Sequence, residues 1–299
     1  MPICIPAELP TRKILARENI FTMTEKRANR QDIRPLEVAI LNLMPTKLET
    51  ETQLARVLSN TPLQVKLTLL TTETYQPKHT DKKHLIAFYQ TFSQIKARHF
   101  DGLIITGAPI ELLPWREVAY WRELCQILTW SETHVYAKFF ICWAAQAALH
   151  YFYQIPKYRL GQKKFGIFTH QVTKKNSMLL RGFDTKFDVP VSRWTEVKAA
   201  DLNKNPDLKI LANSPEAGVY LVQNKKKRQT FAFNHAEYEA ETLQAEFERD
   251  RQKQADFPEP INFCAKQNTW RAHAHLLFSN WLNYFVYQAT PFDLKHDLV

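Results

Sequence analysis

The amino-acid sequence predicts an α/β fold: a mainly parallel sheet flanked by helices. Three observations carry that expectation. Four apolar runs read as core strands, LEVAILNLM (Leu36 to Met44), LQVKLTLL (Leu63 to Leu70), FDGLIITGAP (Phe100 to Pro109) and VYAKFFIC (Val135 to Cys142). The stretches between them place apolar residues at i, i+3, i+4 and i+7, as a helix with one face on a sheet requires. Strand and helix patterns alternate, the signature of βαβ units and parallel strands.

In chain order, the first strand run leads into KLETETQLARVLSN (Lys47 to Asn60) and the second into KHLIAFYQTFSQIKAR (Lys83 to Arg98), each expected to form one helix. The third leads into VAYWRELCQILTWS (Val118 to Ser131), and the fourth stops at Cys142, where an alanine-rich helix pattern begins at once. From Gly166 to Asn234 the strand-like pieces are shorter. VYLVQ (Val219 to Gln223) and TFAFN (Thr230 to Asn234) flank Lys225-Lys226-Lys227-Arg228, which reads as a hairpin tip. A long helix pattern follows over Ala240 to Gln254, and prolines make Ala255 to Cys264 a loop. The last helix pattern, Trp270 to Gln288, carries enough aromatics to pack on the body or on a second subunit. No repeat interrupts the 299 residues, so one continuous domain over 1–299 is expected.

Composition narrows the function. With 45% hydrophobic and 12% aromatic residues the chain has the makings of a sizeable core, not of a disordered segment. No apolar run approaches the ~20 residues of a membrane span, and the start has no secretory h-region. Cys4, Cys125, Cys142 and Cys264 lie far apart without a CxxC pair, which fits a reduced cytoplasm and argues against zinc or dithiol chemistry. The net charge of +10 invites a nucleic-acid reading. The basic clusters are short and scattered, however, and read as solvated loops or as a surface for a polyanionic ligand.

Cys142 stands at the carboxyl end of a strand, where open α/β sheets build their sites. A strand-to-helix elbow there exposes the side chain above the sheet and turns the amides of the new helix toward it, favouring a thiolate and then an oxyanion. The competing reading is an inert core cysteine. TFAFNHAEYEAETLQ adds a second strand end, with His235 and Glu237 at i and i+2 on one face of the extended chain. An imidazole beside the thiol would raise its thiolate fraction, and a carboxylate would hold the imidazole tautomer.

Cys142 with His235 and Glu237 resembles the class I glutamine-amidotransferase-like (flavodoxin-like) three-layer sandwich. Nearly end to end, the chain is similar to the homoserine O-acyltransferases of methionine biosynthesis. The resemblance runs through MPICIPAELP, ENIFTMTEKRANRQDIRPLEVAILNLMPTKLETETQ, FDGLIITGAP, FICWAAQAAL, KKFGIFTH, PVSRWTEV, HAEYEAETL with EFERD, and WRAHAHLLFSNWLNYFVYQATPFDL. It implies a ping-pong cycle in which Cys142 carries the acyl group as a thioester, with His235 as general acid/base and Glu237 and Lys47 completing the active site. It places the oxyanion hole on the backbone amides of Trp143, Gly107 and Ala108, and homoserine on Lys163, Ser192 and Arg249. It implies a homodimer, no metal, and no permanently bound cofactor; acetyl-CoA and L-homoserine are substrates. Asn234 and Ala236 stand where the family usually has glycine and proline, and Asn tolerates left-handed geometry better than most residues.

The same resemblance ties acyl choice to Glu111: glutamate goes with acetyl-CoA, glycine with succinyl-CoA. Physically, succinyl would set a second carboxylate a few Å away, a repulsion of about 1–4 kcal/mol at effective dielectrics of 80 to 20. Acetyl transfer is therefore expected, with succinyl transfer as the alternative. A cysteine-dependent hydrolase or amidotransferase and a basic nucleic-acid-binding protein are the remaining readings. No nucleic-acid or membrane partner is expected.

Overall fold

The structure, a computed structural model, describes residues 3–28, 33–75, 80–264 and 267–290. Parts of the matched stretches, at 1–2, 29–32 and 291–294, lie outside the described residues.

The strands are β1 (Ile3–Cys4), β2 (Thr22–Met23), β3 (Leu36–Leu41), β4 (Val65–Leu70), β5 (Tyr89–Gln90) and β6 (Phe100–Ile105). They continue with β7 (Val135–Ile141), β8 (Tyr158–Val172), β9 (Lys186–Glu196), β10 (Lys209–Ser214), β11 (Gly218–Asn224) and β12 (Gln229–Ala232). The helices are α1 (Pro10–Arg17), α2 (Glu25–Ala28), α3 (Lys47–Leu58), α4 (Lys82–Phe88), α5 (Phe92–Ile95), α6 (Trp121–His134), α7 (Trp143–Tyr153), α8 (Ala199–Asn203), α9 (Ala240–Lys253) and α10 (Arg271–Asn280). A π-helix, Trp281–Tyr287, continues α10.

One sheet runs β2-β1-β4-β3-β6-β7-β12-β11-β10-β8-β9, with β5 pairing on β4. Every pairing from β2 through β12 is parallel, and the pairings beyond β12 are antiparallel. The parallel strands are buried on both faces, as their unbroken apolar runs require. In β3, Val38 and Ile40 enter one core with Leu54 and Leu58 of α3 and Leu277 and Phe278 of α10. Ala39 and Leu41 enter the other with Leu124 and Leu128 of α6 and Leu149 of α7. This is the three-layer arrangement expected.

One expectation is corrected. The helix pattern over Lys83 to Arg98 is broken by β5. Tyr89 is turned into the core, where its hydroxyl donates to Glu51 (2.7 Å) and accepts from the Asn42 amide (3.0 Å). Gln94 restarts the helix by accepting from the Thr91 amide at 2.8 Å. Buried hydrogen bonding overrode the helical period. The final aromatic helix packs on its own body: Trp270, Phe278, Trp281 and Val286 are each at most 1% exposed. That is one of the two packings expected for it. The basic quartet Lys225 to Arg228 is the tip of the β11–β12 hairpin, where Lys226 pairs with Asp207 and Lys227 with Glu132.

Gly102 on β6 is what lets the C-terminal helix dock: a Cβ there would lie 2.8 Å from Cη2 of Trp281. Gly102→Ala is expected to cost about 1–3 kcal/mol by overpacking, read as a lower melting temperature. An unchanged melting temperature would show that the Trp281 ring is not seated on that strand.

Candidate active site

Four neighbouring strands, β3, β6, β7 and β12, end on the same edge of the sheet, in register from Leu41 to Ile105 and from Phe140 to Phe231. The loops leaving them carry Lys47, Gly107 to Glu111, Cys142 and His235 to Glu237. Parallel topology gathers residues that the chain keeps far apart.

Cys142 is the turn itself. Its backbone takes φ 52° and ψ −116°, a left-handed bend that an L-residue holds only at a cost, and α7 starts at the next residue. The adjoining backbone pins it: the Cys142 amide donates to Ala232 of β12 at 2.6 Å, and the Cys142 carbonyl accepts from Ala145 and Gln146. The small residues Ala144 and Ala145 are buried against the sheet. The expected exposure of the side chain is corrected: Cys142 is only 3% exposed. Gly107 lies over it, where an added Cβ would meet Cys142 Cβ at 3.1 Å, His235 Cε1 at 3.6 Å and Cys142 Sγ at 3.7 Å. Thiol, imidazole and the Gly107 backbone thus meet at one point. The amide of Trp143, in the first turn of α7, has no helical acceptor, and those of Gly107 and Ala108 have no backbone partner among the described residues. The position suits an oxyanion.

His235 is 4% exposed, and its Nδ1 meets Glu237 Oε1 at 2.7 Å. Burial by itself would lower its pKa. The charges of Cys142 and Glu237 and hydrogen bonds to both outweigh that and hold it well above the ordinary imidazole value. Tyr238 stacks on the His235 ring at 4.1 Å between centroids, and its backbone carbonyl accepts from the Trp270 indole at 2.8 Å. Asn234 does not use the left-handed backbone that Asn tolerates. Its side chain is used instead, bridging Arg193 Nε (3.2 Å) and His170 Nε2 (2.9 Å).

Lys163, Ser192 and Arg249 form an adjoining cluster. Lys163 Nζ lies 2.8 Å from Asp250 and 3.6 Å from Glu246, Arg249 lies 2.8 Å from Asp250, and the Ser192 hydroxyl donates to Glu246. Tyr238 joins the clusters, its hydroxyl donating to Glu246 at 3.0 Å. Glu111 is 9% exposed, so it is not a solvent-facing loop acid. Burial pushes its carboxyl up, against the pull of its own backbone and of Lys163 and His235. Sequence reasoning missed Tyr238, Glu246, Asp250 and Arg193. The two acids lie inside EFERD and the arginine inside PVSRW, but no local pattern marks them.

The sequence pattern of the homoserine O-succinyltransferase family matches residues 2–292. The chain belongs to that family. A relative from Thermotoga petrophila, named homoserine O-acetyltransferase, is 56% identical over 99% of this chain and 99% of its own length. Relatives of the same name from Clostridium acetobutylicum and Synechococcus elongatus are 52% and 53% identical, covering 98% and 96% of this chain and 100% and 99% of their own. Among solved structures, a glutamine amidotransferase from Thermotoga maritima aligns with a TM-score of 0.57 at 12% identity, over 84% of this chain and 98% of its own. That likeness is one of fold.

In this homoserine O-succinyltransferase family member, Lys47 is held at the start of α3 by its own neighbours. Its ammonium donates to the Asn42 carbonyl and lies 5.4 Å over the Tyr89 ring. Among the described residues, neither Cys142 nor His235 is among its hydrogen-bond or ion-pair partners. A cavity of about 770 Å³ reaches this cluster through Glu51 and Tyr89, but Cys142, His235 and Glu237 do not line it.

Burial pushes Lys47 from 10.5 down to about 8, with Glu51 opposing. Folding is therefore penalised while the ammonium is charged, fully below pH 8, and the penalty fades as the pH climbs from 8 toward 10.5. Relative to the parent, Lys47→Met is expected to lose up to about 3 kcal/mol of its advantage between pH 7 and pH 10. Denaturant titrations at the two pH values check this, and a pH-independent difference would refute it.

Proposed function

We propose that the chain is a homoserine O-acetyltransferase that passes the acetyl group through Cys142. Acetyl transfer is the activity named in full-length relatives 52% to 56% identical to this chain. The observation that carries the route is the buried Cys142–His235–Glu237 cluster beneath the Gly107 backbone.

In this reading the Cys142 thiolate attacks the thioester carbonyl of acetyl-CoA, and the oxyanion turns toward the amides of Trp143, Gly107 and Ala108. The tetrahedral adduct collapses by breaking the bond to the CoA sulfur, which takes its proton from His235. Homoserine then attacks the acetyl-enzyme through its hydroxyl, whose proton passes to the now neutral His235. O-acetylhomoserine leaves, and the thiolate–imidazolium pair is restored. Glu237 keeps Nδ1 protonated, so Nε2 is the nitrogen that exchanges the proton. Lys163, Ser192 and Arg249 receive homoserine. The guanidinium suits its carboxylate, and Glu246, already between Ser192 and Tyr238, suits its ammonium. Acetyl-CoA enters as a substrate. A cytoplasmic site of action fits the unpaired cysteines among the described residues.

Intact-mass spectrometry of the protein mixed with acetyl-CoA is expected to find one acetyl group, mapped to Cys142. Homoserine should remove it within the turnover time, much faster than buffer alone. Loss at equal rates with and without homoserine would point to a hydrolase.

Glu111 is read as the acyl selector, and its raised pKa gives that reading a pH dependence. The carboxyl repels a succinyl carboxylate only when ionised. Discrimination of acetyl-CoA over succinyl-CoA, measured as the ratio of kcat/KM values, should therefore narrow as the pH falls. Glu111→Gly should shift preference toward succinyl-CoA at neutral pH and remove the pH dependence of the ratio. An unchanged ratio in that variant would assign selection elsewhere.

A further inference from the structure

Arg193 is 1% exposed, among the largest side chains in the core, and among the described residues it forms no ion pair. Its guanidinium donates to three neutral oxygens: Oδ1 of Asn234 at 3.2 Å, the carbonyl of Thr195 at 2.9 Å, and the carbonyl of Ala217. An unpaired buried cation is costly, so an anion within its field would offset much of that cost.

Two of those contacts lead to the acyl-transfer centre. Asn234 is the residue before His235, whose amide donates to Pro190 on the same strand as Arg193. Thr195 exchanges hydrogen bonds with Gln146 of α7, and the Gln146 amide donates to the Cys142 carbonyl. One guanidinium is therefore tied both to the histidine's strand end and to the first turn of the cysteine's helix. The polarity of the network is set from its far end. Burial pushes His170 down to about 4, so the ring is neutral. Its Nδ1–H donates to the Phe168 carbonyl at 2.8 Å, leaving Nε2 as a bare acceptor. The Asn234 amide must then give its N–H to His170 and turn its oxygen to Arg193.

We propose that Arg193 is a positioning residue of the acyl-transfer site, its buried guanidinium stabilising the thiolate of Cys142 while fixing the Asn234–His235 strand end. This rests on the reading of Cys142 as the nucleophile. The other groups acting on the pair are His235 with Glu237, Tyr238 and Glu111. Those near Arg193 are the neutral His170 and Glu196, which pairs with Lys164 at 3.3 Å. Among the charges Arg193 feels, that of Cys142 comes first.

The test is the rate at which iodoacetamide alkylates Cys142 in the full chain from pH 4 to pH 10. The modified peptide is quantified by mass spectrometry, so the other cysteines do not interfere. Arg193→Gln should raise the midpoint of the profile by about one pH unit, a roughly tenfold slower reaction below the midpoint. Arg193→Lys, which keeps the charge, should recover most of that shift. Equal midpoints in the parent and Arg193→Gln would overturn the proposal, because a purely structural arginine changes melting temperature and not thiol ionisation. Should Arg193→Gln fail to fold, His235→Asn gives the second reading. With the imidazolium gone, Arg193 should still keep Cys142 reactive toward iodoacetamide within the pH range tested, and a Cys142 left unmodified in that variant while the parent reacts would overturn the proposal. A parent Cys142 that stays unmodified across the whole range would instead defeat the nucleophile reading itself.

Discussion

A charged imidazole kept almost entirely out of water can persist only if its charge has protein partners. His235 sits between Cys142 and the Glu237 carboxylate with 4% of its surface exposed, and burial alone would strip its proton. The surrounding layers serve that constraint. Tyr238 covers one face of the ring, and Trp270 from the C-terminal helix holds the Tyr238 backbone. Asn234 fastens the strand end to a buried arginine and a neutral histidine. Charges in so dry a site interact far more strongly than in water, and for that reason each must be placed rather than merely present.

The sheet supplies the placement. Because β3, β6, β7 and β12 are consecutive neighbours and all parallel, their carboxyl ends form one ledge. Cys142 takes a strained left-handed backbone there, and the strain is carried by the hydrogen bond to β12 on one side and the first turn of α7 on the other. Gly107 completes the approach because it lacks a Cβ, where any side chain would crowd the thiol. The π-helical end of the chain and the docking of Trp281 on Gly102 matter to the same ledge, since they fix the layer from which Trp270 reaches in.

Next to this pair lies a group of nearly balanced charges. Lys163 and Arg249 share Asp250, and Glu246 draws in Ser192 and Tyr238. Such an arrangement sets both signs of charge side by side, each already partnered within the protein. Glu111 stands within the field of both clusters, influenced by Lys163, His235 and Glu246.

Much of this was legible without coordinates where the determinant was local. The apolar runs of β3, β4, β6 and β7, the periods of α3 and α6, the hairpin around Lys225 to Arg228 and the strand-end settings of Cys142 and His235 all follow from neighbouring residues. Membership in a known family could be read from motifs spread along the chain, and with it came the expectations for Lys163, Ser192, Arg249 and Glu111. Tertiary structure alone decided the rest. It broke the helix at Tyr89, because a buried phenol needed Glu51 and Asn42. It buried Cys142 where an exposed elbow was expected, because the Gly107 backbone and His235 close over it. It set Lys47 among Asn42, Glu51 and Tyr89, and gave Asn234 a bridging role through its side chain instead of a left-handed turn. Local sequence sets backbone preference and which face is apolar. Which buried polar atoms must satisfy one another depends on strands far apart in the chain becoming neighbours, and only the folded molecule makes them so.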